Sequence, residues 1–217
     1  IDAAATRAAV AAGIDVVASP ALVAERASDI ITSLPKPEAV IATATAIAAA
    51  AGKRRVVMEA STLALEDKHA FHDILAAKGH IPLDIPLSGT GAQAAVKDLV
   101  IYASGDSAEI KRLSPLFMDF GRKVFDLGGF GNGTKMKYVA NHLVAIHNVA
   151  SAEAMVLGMK AGLDPKTMVD VIGSGAGSSR IFELRAPMMA RNDYLPATMR
   201  SRTWKKDMTV IGAFASD

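Results

Sequence analysis

The chain contains no cysteine, which removes disulfides, Cys-ligated zinc and a thiol nucleophile and leaves any redox chemistry to a borrowed cofactor. An excess of one charge is missing too. Lys and Arg number 24 against 22 Asp and Glu, a net +2, so nothing steers the whole molecule onto nucleic acid. No apolar run reaches the ~20 residues that a bilayer requires. Segment 39–52 is Ala- and Thr-rich and short, while 138–157 is interrupted by Asn141, His142, His147, Asn148 and Glu153. No basic stretch followed by an apolar one opens the chain, so no secretory signal is read. What remains is 51% hydrophobic residues in 217, enough for one or two cores in a folded protein. The expected setting is cytoplasmic, with no membrane and no nucleic acid as partner.

The first half alternates Ala-rich helical stretches with short β-branched runs, the rhythm of an α/β fold. Expected strands are Asp29 to Leu34, ended by Pro35 and Pro37, then Arg55 to Glu59, Ile81 to Leu87, Leu99 to Ala103 and Lys123 to Leu127. Between them lie expected helices at Ala21 to Ser28, Glu38 to Ala51, Leu65 to Lys78 and Lys111 to Phe120. Crossover helices between short strands imply a mostly parallel, doubly wound sheet. The rhythm changes after Gly128-Gly129-Phe130-Gly131-Asn132-Gly133. From Thr134 to about Lys160 no proline interrupts the chain, and one helix ~40 Å long is predicted. Gly162-Leu163-Asp164-Pro165 then stops it and restarts another, with Asp164 as N-cap. More helix is expected to Val171 and again from Trp204. The expected domains are 1–127, Rossmann-like, and 128–217, all helical.

On the long helix, Lys137, Asn141 and Asn148 fall within about one tenth of a turn of one another at 100° per residue. Val139, Leu143, Ile146, Ala150 and Leu157 occupy the opposite side, and Val144 and Met155 flank the polar line. A helix apolar nearly all round is normally buried, and buried polar groups need partners. The line is therefore a solvated edge or a functional site, with neither favoured by periodicity alone. Other chemistries find little support. The glycine clusters 128–133 and 173–177 fit neither a P-loop, which needs Gly-Lys-Ser/Thr, nor a G-x-G-x-x-G turn after a strand, and they read as a helix-entry turn and a loop. His69 with His72, and His142 with His147, lack a third ligand, so no metal site is expected. Ser61 and Ser88 stand outside any G-x-S-x-G elbow.

Several segments together resemble the β-hydroxyacid dehydrogenase family, which includes 3-hydroxyisobutyrate dehydrogenase, tartronate semialdehyde reductase and, more distantly, 6-phosphogluconate dehydrogenase. Asp84-Ile85-Pro86-Leu87-Ser88-Gly89-Thr90 is similar to the family's D-x-P-V-S-G-G loop. Gly131-Asn132-Gly133-Thr134-Lys135-Met136-Lys137-Tyr138-Val139-Ala140-Asn141 matches its G-x-G-x-x-x-K-x-x-x-N. Ser33-Leu34-Pro35, Ala60-Ser61-Thr62 and Lys206-Asp207 add weaker matches. The resemblance implies an incomplete Rossmann-like dinucleotide-binding domain followed by an all-α domain, joined by a long interdomain helix. It implies Lys137 as general acid/base, with Asn141 one turn on holding the substrate or the ammonium. Ser88, Gly89 and Thr90 would bind a substrate carboxylate, and Leu34, Pro35, Thr62 and Lys206 would line the cofactor. The implied substrate is a small 3-hydroxyacid, or a 3-oxoacid or semialdehyde in reverse, and the implied assembly a homo-oligomer when full length.

The chain departs from the family pattern in several places. The opening strand, glycine turn and helix that seat a pyrophosphate are not in it, so the implied cofactor is NAD or NADP. Ile1-Asp2 reads as the point just after the second strand, and Asp217 falls inside a helix. The expectation is a piece trimmed at both ends. Thr90 stands for the loop's second glycine, Leu87 for valine, and Ala39 where many members carry asparagine. Two other functions share this architecture. An imine reductase usually replaces the lysine with Asp or Tyr, and a non-catalytic interaction protein has lost it. Lys137 with Asn141 weighs against both.

Overall fold

The structure is a computed structural model that describes residues 3–195 and 201–216. Ile1 and Asp2, read above as following a strand, lie outside the described residues, as does Asp217. The chain divides into two compact units, one of Ile1–Ser88 with Leu99–Thr134, the other of Gly89–Asp98 with Lys135–Asp217.

The first unit opens with helices α1 (Ala3–Ala11) and α2 (Pro20–Arg26). Strand β1 (Asp29–Thr32), helix α3 (Pro37–Ala49), strand β2 (Val56–Glu59), helix α4 (Leu65–Ala76) and strand β3 (Ile81–Asp84) follow. The three strands pair in parallel in the order β1-β2-β3. All four residues of β2 are buried because both of its faces are covered, as parallel sheets require. Val57 packs with Val40, Ala44 and Ile47 of α3 and Phe71 and Leu75 of α4. Val56 and Met58 point the other way, into a cluster with Leu83, Ile101, Ile110, Leu113 and Phe117.

The expected single strand from Ile81 to Leu87 is in fact broken. It ends at Asp84, and a two-residue strand β4 (Leu87–Ser88) pairs antiparallel with β5 (Leu99–Ala103). Pro86, which has no N–H to give a ladder, stands at the break, where its carbonyl accepts the Tyr102 N–H at 3.1 Å. Helix α6 (Ser107–Met118) and strand β6 (Gly121–Asp126) complete the unit, with β6 parallel to β5. Helix α6 begins four residues before Lys111, because the Asp106 carboxylate accepts from the N–H groups of Ala108 and Glu109 at 2.9 and 3.1 Å and so caps it. Asp84 and Ser104 exchange two backbone hydrogen bonds of 3.0 and 2.8 Å, the antiparallel bridge that joins the two three-stranded sheets.

The second unit contains the short helix α5 (Gly91–Ala95), most of α7 (Asn132–Lys160), and helices α8 (Pro165–Gly173), α9 (Arg180–Arg191) and α10 (Ser201–Ser216). Met155, Met168, Phe182 and Ala186 form its core. Helix α8 approaches α7 so closely that a Cβ on Gly158 would lie 2.1 Å from Met168 Sδ. Helix α9 falls within the part expected to be helical, though the sequence singles out no element there. Pro187 inside it reads as a breaker, whereas the start signal, Ser179 Oγ accepting the Phe182 N–H at 3.0 Å, is an ordinary N-cap.

Candidate active site

The first three residues of α7, Asn132 to Thr134, belong to the first unit. The first amides of a helix have no partner within it, and here three of them find one outside. Asn132 N–H donates to Gly129 O at 3.2 Å, Gly133 N–H to Ser104 Oγ at 2.9 Å and Thr134 N–H to Asp84 Oδ2 at 2.7 Å. The Thr134 hydroxyl gives a fourth bond, to Asp84 Oδ1 at 2.8 Å. A carboxylate at this end of a helix is also favoured by the helix dipole. The contact explains the spacing of the glycines. Gly131 adopts a φ of +92°, open to few other residues, and a Cβ on Gly133 would fall 2.2 Å from the Tyr102 carbonyl oxygen. The cluster 128–133 is thus the entry turn of α7.

Three residues after Thr134 the helix turns its polar line inward. Lys137, only 9% exposed, and Asn141 are buried together with Thr134, Tyr138, Ser151 and Met155. Val139, Leu143, Ile146 and Leu157, the apolar side, are exposed. The burial expected of a helix apolar nearly all round is thus met along its polar line, which is not a solvated edge, while the apolar side is open among the described residues. Polar groups on the buried edge find partners on another helix. Asn141 Nδ2 donates to Asp207 Oδ2 of α10 at 3.2 Å, and the Lys206 ammonium lies 3.1 Å from Asp207 Oδ1. Tyr138 packs against Phe214 with ring centroids 5.1 Å apart. Asn148, the third member of the line, is satisfied on its own helix, donating to Val144 O at 2.8 Å. It takes no part in the cluster.

Burial pushes the Lys137 ammonium below the ordinary lysine range, while the Asp207 charge pulls it partly back. The result is an amine that gives up its proton more readily than a solvated lysine, next to a carboxylate and a carboxamide. In the sequence Asp207 stands only within the Lys206-Asp207 match and is given no role; the structure brings it to Asn141.

The other predicted residues lie at the ends of strands. Leu34 and Pro35 form the turn between β1 and α3, and Ser61 and Thr62 follow β2. The Leu34 N–H donates to Ser61 Oγ at 2.7 Å, which holds the two turns side by side at the carboxyl edge of the parallel sheet. Open α/β sheets bind ligands at that edge. Ser88 closes β4 in the first unit. Gly89, at φ +132°, and Thr90, whose N–H donates to Gln93 Oε1 at 2.9 Å as α5 begins, belong to the second. Among the described residues no group of His, Asp and Glu could hold a metal ion, and no helix is long and apolar enough to cross a membrane.

Comparison with known proteins decides the family. Residues 1–129 match the model of the NAD-binding domain of 6-phosphogluconate dehydrogenase. Residues 131–217 match that of the NAD-binding domain of NADP-dependent 3-hydroxyisobutyrate dehydrogenase. The chain belongs to the β-hydroxyacid dehydrogenase family. It is 34% identical over 183 residues to the L-threonate dehydrogenase of Cupriavidus necator, covering 82% of this chain and 62% of that protein. It is 32% identical over 185 residues to a probable 3-hydroxyisobutyrate dehydrogenase of Mycobacterium tuberculosis, covering 82% and 63%. The solved structure of M. tuberculosis 3-hydroxyisobutyrate dehydrogenase with L-serine superposes with a TM-score of 0.86 at 29% identity, covering 96% of this chain and 74% of that one. The chain thus spans less than two thirds of the length of these curated relatives. The α/β fold with a helical second part is the β-hydroxyacid dehydrogenase fold.

Proposed function

We propose that the intact protein is an NAD(P)-dependent oxidoreductase that interconverts a small 3-hydroxyacid and its 3-oxoacid or semialdehyde. The observation that carries this reading is Lys137, a buried amine with a lowered proton affinity, on the family's K-x-x-x-N line beside Asn141 and Asp207. A bound nicotinamide supplies the two-electron acceptor. Neutral Lys137 takes the hydroxyl proton as the adjacent C–H electron pair departs with its hydrogen, which leaves a carbonyl. In reduction the ammonium returns that proton. Asn141, tied to Asp207, keeps the amine and the substrate hydroxyl in register.

Leu34, Pro35 and Thr62 fit NAD or NADP by position and chemistry, since they put apolar side chains and a hydroxyl at the ends of two neighbouring parallel strands. The family resemblance assigns Lys206 of the second unit to the cofactor as well. Ser88, Gly89 and Thr90 offer hydroxyl and amide donors to the substrate carboxylate. The relatives' names suggest L-threonate and 3-hydroxyisobutyrate as the first substrates to try. We also read the intact protein as a homo-oligomer, a reading supported by the apolar side of α7, which is exposed in this chain and is of the kind that marks interaction surfaces. The test is nicotinamide absorbance with each acid and each cofactor. Lys137→Ala should cost ~10²- to 10⁴-fold in kcat, and a variant that keeps most of its kcat would sink the reading.

A further inference from the structure

Beneath the start of α7 lies a cation that the reaction as drawn does not use. Lys68 of α4 is fully buried, and so are Glu59 at the end of β2 and Asp84 at the end of β3. The Lys68 ammonium pairs with Glu59 Oε2, lies 3.0 Å from Asp84 Oδ1 and donates to the Glu59 carbonyl at 3.2 Å. Two carboxylates this deep would repel each other and lack water to solvate them, a situation that costs several kcal/mol unless a cation intervenes. Lys68 leaves the cluster with a net of one negative charge.

Each carboxylate then holds a different piece of the molecule. Asp84 accepts from the Thr134 N–H and hydroxyl and from Ser104 Oγ at 3.2 Å, and that hydroxyl accepts the Gly133 N–H. This is the first turn of α7, one turn before Lys137. Glu59 Oε1 accepts the Ser61 N–H at 3.0 Å, and Ser61 Oγ accepts the Leu34 N–H. These are the two strand-end turns assigned to the cofactor.

We propose that Lys68 is a positioning residue. By neutralising Glu59 and Asp84 together it fixes, through one ammonium, both the turns at Leu34 and Ser61 and the first turn of the helix that carries Lys137. The inference rests on the dehydrogenase reading above. It goes beyond that reading by assigning a role in the rate to a residue that touches neither substrate nor cofactor. Its signature is charge rather than volume.

The test compares wild type, Lys68→Met and the double variant Lys68→Met/Glu59→Gln in the intact protein. Methionine keeps the length and removes the charge. The double variant restores the net single negative charge, and its glutamine carbonyl still accepts from Ser61. In Lys68→Met we expect kcat to fall at least tenfold with substrate KM changed less than threefold, and amide exchange at Ser61, Gly133 and Thr134 to quicken. The double variant should recover most of the lost kcat and of the protection. If Lys68→Met folds poorly, Thr134→Val probes the same anchor from α7, with a several-fold fall in kcat expected at nearly unchanged Tm. A kcat within twofold of wild type in both single variants would overturn the proposal. So would a loss in Lys68→Met that the double variant does not repair. A wild-type protein that oxidises no hydroxyacid would refute the dehydrogenase reading itself, and this inference with it. That outcome is read in the control before any variant is compared.

Discussion

Asn141 and Asp207, 66 positions apart, meet in a hydrogen bond of 3.2 Å that brings a carboxylate to the turn of helix carrying Lys137. The carboxylate opposes what burial does to the lysine. Burial lowers its proton affinity and Asp207 raises it.

The first expectation concerns pH. In the proposed reaction, oxidation of a hydroxyacid needs neutral Lys137, so kcat should rise with pH along a limb set by that group, below the ordinary lysine range. Asp207→Asn removes the charge that raises the limb and keeps an oxygen for Asn141. The limb should therefore move to lower pH. A pH profile of kcat for the two proteins decides it, and movement to higher pH would contradict the assignment of burial and charge made above.

The same amine should cost stability. Its folded proton affinity is depressed, so the unfolded chain binds the extra proton between the folded value and about 10.5. Stability then rises with pH across that window and is lowest below it, where a charged ammonium stays buried. Lys137→Met should be inactive yet more stable at neutral pH, with a gain in Tm of roughly 2–4 °C for each kcal/mol relieved. The gain should shrink as pH approaches 10.5. A melting series across pH measures this, and a gap that widens instead would be inconsistent with it.

Glycines in the α7 entry turn should differ sharply in tolerance. At Gly133 a Cβ would meet backbone at 2.2 Å, whereas at Gly129 it meets nothing within 4 Å. Gly133→Ala should cost about 1–3 kcal/mol, as overpacked sites do, and should displace the first turn of α7 with a large loss of kcat. Gly129→Ala should stay within about 0.5 kcal/mol of wild type. Denaturant melts of both variants test the contrast.

The exposed side of α7 makes a claim about assembly. Leu157 and Val139 are 71% and 58% exposed in this chain, so charging them should not disturb the packing described above. Leu157→Lys with Val139→Lys should leave Tm nearly unchanged and convert the intact protein to a smaller species in sedimentation. An unchanged sedimentation coefficient would remove this face from the proposed oligomer interface.

Much of this was legible in the sequence because it is written in local patterns. The buried run of β2, the proline-free length of α7 and the cap at Asp164 announce themselves through periodicity, breakers and side-chain chemistry at short range. The line of Lys137 and Asn141 was visible for the same reason, and the family motif around it carried the chemistry. Which side of α7 is covered was not visible. Periodicity left the polar line open between a solvated edge and a functional site, and only the tertiary structure, by placing Asp207 beside Asn141, shows that edge buried. The glycine spacing tells a similar story, for it becomes intelligible only when the Tyr102 carbonyl stands where a Cβ would be. Sequence alone determined that Lys137 and Asn141 share one line of one long helix. The fold decided which charge stands beside them, since Asp207, 66 positions from Asn141, is brought there by long-range packing that no local pattern encodes.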